Sequence, residues 1–190
     1  MESLEVAFEK AAAGRRYRSL LRRADGVEVA FEGGAYNKLG ARGELPHDLA
    51  HLIVERELEL TQGVWGVLAA GGLFRHATVV AGRQAPHAAR RGRELVEAAS
   101  DAIMQAELLT RVVCDACAAG PPFDPAALRR VNGEGWWSEL VTRELVERCD
   151  AQLAEAARAW AALAPGRRLV ERWPLARQRR PASRRGAHAR

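Results

Sequence analysis

Ser3-Leu4-Glu5-Val6-Ala7-Phe8-Glu9 opens the chain with an alternation of apolar and polar side chains. In an extended strand successive side chains point to opposite faces, so a period of two marks a strand buried on one side. Residues 15–22 give a second strand through Tyr17 and Leu21, with Leu20 breaking the alternation. Asp25-Gly26 then supplies a hairpin turn, a pair suited to positive φ. Val27-Glu28-Val29-Ala30-Phe31 alternates again. These segments predict a three-stranded antiparallel meander. Residues 33–45, rich in glycine and polar groups, read as a loop.

Helical periodicity takes over after residue 45. Pro46 suits a first helical position, where its missing N–H costs nothing, and a helix is expected from there to about Leu60. A shorter one follows Gly63 and stops at Gly71-Gly72. From Pro86, the residues Leu95, Ala99, Ala102, Ile103, Ala106, Leu109 and Val113 recur at three- and four-residue spacing. That pattern predicts one long amphipathic helix ending before Gly120. Asp124-Pro125 is an N-cap followed by a first-turn proline. A last long helix carries Val141, Leu145, Cys149, Leu153, Ala156, Trp160 and Leu163 and stops at Pro165-Gly166. Leu169 to Trp173 reads as a closing strand. The fold class is therefore α+β, a three-stranded meander packed on a helical bundle with two long helices.

The chain has 190 residues, 48% of them hydrophobic, which suits one domain over residues 1–175 with a core of its own. No apolar run reaches the length of a membrane-spanning helix, and the acidic start has no signal-peptide core. A cytoplasmic location and no membrane partner are expected. Arginine far exceeds lysine, which occurs only at Lys10 and Lys38, and alanine is frequent; this reads as the coding bias of a high-GC bacterial genome.

The formal charge of +5 is unevenly spread. Residues 167–190 hold nine arginines against the single acid Glu171, a local charge of +8, so the remainder carries 5 − 8 = −3. Residues 176–190 contain no large apolar side chain and are expected to be a disordered tail. Such a tail is suited to weak polyanion contact through counterion release. Homo-oligomerisation is left open.

One segment holds the residue types that metal chemistry needs. In Leu45-Pro46-His47-Asp48-Leu49-Ala50-His51-Leu52-Ile53-Val54-Glu55, a helix would set His47 at 0°, His51 at about 40°, Glu55 at about 80° and Asp48 at about 100°. Two histidines at i and i+4 can chelate one ion, as in H-E-x-x-H zinc helices. Val54 and Leu58 flank the two rings, so the stripe should be partly buried, and a buried imidazole needs a hydrogen bond or a ligand. His47, Asp48, His51 and Glu55 are thus candidate ligands for a divalent ion such as zinc, iron or manganese. Three ligands at i, i+4 and i+8 converge poorly from one straight helix, so His76 or His87 would have to fold back to complete a set. The alternative is structural, with Asp48 meeting the helix dipole and the histidines bonding backbone carbonyls.

Pro46-His47-Asp48-Leu49 with His51, Val54 and Glu55, followed by Gly63-Val64-Trp65-Gly66 and Ala69 to Phe74, resembles a group of small uncharacterised proteins of high-GC bacteria. That resemblance covers about residues 45–74 and implies no activity. The H-D-x-x-H core is also similar to the metal motif of the coenzyme Q biosynthesis family, which acts on the quinone-ring precursor. That family adds a glutamate about eleven residues after the second histidine, where this chain reads Leu60 to Trp65.

The remaining motifs point to packing. Cys114-Asp115-Ala116-Cys117 lies in the last turns of a helix, where the dipole opposes thiolate formation, so Cys114, Cys117 and Cys149 are expected to be core residues. Trp136-Trp137 reads as a core anchor. Two functional readings stand: a small metal-binding protein centred on the H-D-x-x-H helix, or a non-enzymatic binding or regulatory protein with structural histidines. Whether the protein is an enzyme is left undecided.

Overall fold

The computed structural model describes residues 2–175; the expected tail, residues 176–190, lies outside them. The N-terminal meander forms as the alternation requires. Strand β1 (Ser3–Lys10) pairs antiparallel with β2 (Tyr17–Arg22), and β2 with β3 (Glu28–Gly33). The sheet is wider than the three strands expected. In chain order, β4 (Tyr36–Lys38) and β5 (Glu44–Pro46) make a separate two-stranded ladder, while β6 (Thr78–Ala81) and β7 (Arg168–Pro174) join the main sheet at its edges. Its order is β6-β3-β2-β1-β7. The segment read as a loop over 33–45 therefore contains a strand pair and a 3-10 turn at Gly40–Arg42. Strands of three residues are too short to show a period.

The two faces of the sheet differ as the pleat dictates. Leu4, Val6, Phe8, Tyr17, Leu21, Val29, Phe31 and Trp173 turn inward and join one continuous core. On the outer face the register lines up two charge ladders. One runs Glu28, Arg22, Glu5, Arg172 and the other Glu32, Arg18, Glu9, Arg168. Between them Ala7, Leu20 and Ala30 form a small buried cluster. Opposite charges across neighbouring strands add roughly 0.2–1 kcal/mol per pair.

Helix α1 (His47–Glu57) is buried at every position from Leu49 to Glu55. An ordinary surface helix buries one stripe; α1 is enclosed by the sheet and by the two longest helices. It begins one residue later than expected. Pro46 has extended backbone (φ −49°, ψ 136°) and closes β5 instead of starting the helix. Helix α1 also ends earlier, at Glu57. Helix α2 (Val64–Ala69) follows as expected.

The long helix expected from Pro86 to about Gly120 is two helices, α3 (Ala88–Ala98) and α4 (Ser100–Ala119), divided at Ala99 (φ −98°, ψ 6°). Helix α3 is mostly exposed and buries only Gly92, whose missing side chain lets the helix rest on the chain at Gly71 and Leu73. Asp124 caps α5 (Pro125–Asn132) by accepting from the Ala126 and Ala127 N–H groups. The short α6 (Trp137–Leu140) buries Trp137, while Trp136 stays exposed. Thr142 then caps α7 (Arg143–Ala162). All three cysteines are free and buried, and burial pushes the Cys114 and Cys149 thiols up to about 12. Among the described residues no helix is long and apolar enough to cross a membrane.

Candidate metal centre

Helices α1 and α4 pack side by side. His47 stands in the first turn of α1 and His51 one turn later, with ring centroids 4.6 Å apart. Across from them α4 presents Glu107. Glu107 Oε2 lies 3.1 Å from His51 Nε2 and 3.4 Å from His47 Nε2. The ligand atoms of His47, His51 and Glu107 all fall within 4.8 Å of one another, and this group could hold a metal ion.

Partners on the far side of each ring fix what these atoms can do. His51 Nδ1 is 3.0 Å from Glu55 Oε1. A carboxylate only accepts, so Nδ1 carries the proton and donates it. His47 Nδ1 is 2.8 Å from the Asn37 side-chain oxygen, and donates there for the same reason. The β4–β5 ladder sets Asn37 opposite Leu45, two residues before His47. Asn37 is held in turn by donating its amide to Cys114 Sγ at 3.1 Å. Both Nε2 atoms are thereby turned toward Glu107. Orientation of this kind, with an oxygen acceptor behind each ligating imidazole, is the common outer layer of protein metal sites.

Glu55 has a second task. Its carboxylate accepts from the Val64 and Trp65 N–H groups at 3.1 and 3.0 Å, at the N-terminus of α2. A negative group favours that end of a helix. Gly63 is needed beside it, because a Cβ there would lie 2.6 Å from Glu55 Cδ. Asp48 lines the same cavity as the two histidines but has its own partner. It accepts from Ser19 Oγ at 2.7 Å, under the central strand β2. The structure thus brings His47 and His51 together, adds Glu107, and engages Asp48 and Glu55 elsewhere.

The electrostatics follow from burial and pairing. Burial opposes charge on His51, yet hydrogen bonds with Glu107 and Glu55 and their negative charges outweigh it and hold its pKa up at about 9. With Nδ1–H committed to Glu55, a neutral His51 would aim its Nε2 lone pair at the Glu107 carboxylate. A second proton on Nε2 relieves that conflict. Hydrogen bonds with His47 and His51 hold the Glu107 carboxyl well below its ordinary value. Burial raises the Glu55 carboxyl, against the bond to His51, and raises Asp48, against the bond from Ser19.

Two hollows meet at the triad. A cavity of about 200 Å³ lies on one side, walled by Phe31, Phe74 and Ile103, with His76 at its edge. A wider cleft of about 640 Å³ lies on the other, and His47 and Glu107 line both. His76 therefore faces the site without joining the triad, whereas His87 stands at the N-terminus of α3 (φ 60°) and lines neither hollow.

Glu107 and Asn37 join the site without having been among its sequence-predicted residues. Glu107 borders the apolar stripe of α4, four residues after Ile103 and two before Leu109. An acid on the edge of a buried stripe was the available signal. Asn37 had none, since its role depends on a three-residue strand. No protein family, curated protein or solved structure matches this chain, so the geometry alone carries the functional reading.

Proposed function

We propose that this protein binds one divalent metal ion through His47 Nε2, His51 Nε2 and a Glu107 carboxylate oxygen, in a centre of the open, catalytic kind. The convergence of the two oriented Nε2 atoms on one carboxylate oxygen carries the reading. Two donors about 2.1 Å from one ion, at angles of about 90–110°, stand about 3.0–3.4 Å apart. The observed Nε2–Oε2 separations of 3.1 and 3.4 Å fall in that range. The ligand atoms of all three residues lie within 4.8 Å of one another.

Two histidines and one carboxylate suit zinc or iron(II), and manganese is the harder alternative. Structural zinc sites close all four positions with protein ligands, whereas catalytic sites keep one open. Three protein ligands beside two hollows match the second description. An ion there would supply Lewis-acid activation of a bound water or carbonyl group. In relation to the coenzyme Q biosynthesis motif, Glu107 would supply from α4 the carboxylate that the segment Leu60–Trp65 lacks.

Elemental analysis of the purified full chain, with and without metal reloading, is the direct test. About one equivalent of zinc, iron or manganese is expected, lost in Glu107→Ala. Metal-free protein with no stoichiometric uptake would leave the structural alternative: His51 as a buried cation paired with Glu55 and Glu107.

A further inference from the structure

We propose that the cleft beside the triad takes a small organic anion, with a polar head at the metal and a carboxylate or similar anionic group on Lys38 and Arg111. The inference rests on the metal reading above and assigns its ligand class.

The cleft has room for a whole small molecule. Its volume of about 640 Å³ lies within the range of ordinary ligand pockets. His47 and Glu107 line it, so a molecule seated there reaches the metal position. Tyr36, Met104 and Leu108 give it an apolar wall. Met104 is 71% exposed, although it is a large apolar side chain on an otherwise well-packed helix. A flexible thioether of this kind adapts to the shape of a bound apolar body.

Charge decides the rest. Four charged residues besides His47 line the cleft, two of each sign. The acids are engaged: Glu107 with the two histidines, and Asp115 with the Asn132 amide at 3.1 Å. The cations are not. Lys38 lies across the strand pair from Glu44, but Arg15 holds the Glu44 carboxylate at 2.7 Å. Among the described residues the Lys38 ammonium has no hydrogen-bond or ion-pair partner. Arg111 donates from Nε to Asn132 at 3.1 Å, and its terminal nitrogens have no partner among the described residues. The donors left free in this cleft are therefore cationic. The other lysine, Lys10, spends its ammonium on the Trp160 and Leu163 carbonyls. A bidentate fork and a point charge lining the same cleft fit an oxyanion.

A matched pair of probes separates this inference from the metal reading. Hexanohydroxamate binds an open metal site through its head and ends in a methyl group. Adipic acid monohydroxamate has the same head and chain length and ends in a carboxylate. Calorimetric titration of the zinc-loaded full chain should show both binding, with the carboxylate probe tighter by about tenfold or more. Lys38→Gln with Arg111→Gln should abolish that preference, while zinc content and hexanohydroxamate affinity stay at wild-type values. Both side chains are exposed, so the melting temperature should hold; each single substitution should give an intermediate preference. Equal affinity for the two probes in the wild type overturns this inference and leaves the metal reading standing. Binding of neither probe, with no zinc retained, overturns both.

Discussion

Replacing Glu55 by glutamine removes one charge and about one atom's worth of acceptor, at a site where three donors converge. Glu55 is fully buried. It accepts from His51 Nδ1 at 3.0 Å, from the Val64 N–H at 3.1 Å and from the Trp65 N–H at 3.0 Å. A carboxamide oxygen can keep one or two of these, but its NH2 group must then face a donor. A buried donor left unsatisfied costs about 1–3 kcal/mol, and a hydrogen bond to a charged group is worth about 1.5–3 kcal/mol. The negative charge at the N-terminus of α2 adds up to about 1 kcal/mol. Because these contributions overlap, Glu55→Gln should destabilise the metal-free protein by about 3 kcal/mol. For a chain of this length that corresponds to a fall in Tm of about 6–12 °C. His51 also loses the acceptor that orients it, so metal affinity should drop about 10- to 100-fold. Differential scanning calorimetry of chelator-treated protein reads the first effect, and competition with a metal indicator reads the second. A variant that melts within 1–2 °C of the wild type would refute the argument that Glu55 ties α1 to α2. Unchanged metal affinity would refute its role behind His51.

His47→Ala, His51→Ala and Glu107→Ala should each abolish stoichiometric metal binding. They should also abolish the rise in stability that saturating metal gives the wild type, about 2.7 kcal/mol at a hundredfold excess over Kd, read as a thermal shift. Stability of the metal-free protein should fall as pH rises from about 6.5 to about 9. The raised pKa of His51 means its ion pairing contributes fully below its unfolded value of 6.5 and is lost as pH climbs through the folded value of about 9. Urea titrations at pH 6 and pH 9 check this, and the pH slope should flatten in His51→Gln. Ser19→Ala should cost about 1–3 kcal/mol by leaving the buried Asp48 carboxylate without its hydroxyl donor, read from the urea midpoint. Gly63→Ala should destabilise by a similar amount, since its new methyl group would meet the Glu55 carboxylate; a neutral substitution would mean that the carboxylate has room to move.

The parts of the fold legible in the sequence are those whose pattern repeats. The alternation in β1 and β3 and the three- and four-residue spacing along α4 and α7 survive folding because one face of each element meets the same core. The cap of α5 at Asp124 is a local event and is equally readable, whereas Thr142, which caps α7, is not among the caps read from the sequence. What escapes is set by distant partners. Strand β6 is four residues long and pairs with β3 across an irregular register. The division between α3 and α4 at Ala99 leaves no mark, because alanine favours helix and nothing local demands a break. The two histidines of the site are legible for the same reason as the helices, since they lie one turn apart on α1. The carboxylate facing them is not, because Glu107 is 56 residues from His51. Helix packing alone brings it there. The same packing places Asp48 under Ser19 and Glu55 at the start of α2, which their angles on the helix could not reveal.

On the proposed metal reading, proton and metal would compete for the same place in this site. Without an ion, a proton on His51 Nε2 answers the Glu107 carboxylate, and the buried cation stands between two negative groups. With an ion, that proton must leave, and Glu55 still neutralises part of the incoming charge through Nδ1–H. Metal affinity should therefore rise with pH until about 9, where the folded His51 gives up its proton, while metal-free stability falls between about 6.5 and 9. Opposite slopes from one residue are a specific expectation. In a purely structural network, stability would fall with rising pH and added metal would not restore it. Thermal shifts at pH 6, 7.5 and 9, with and without zinc, distinguish the two. A zinc-induced shift that grows with pH supports competition at His51, and a shift that is flat in pH, or absent, refutes it.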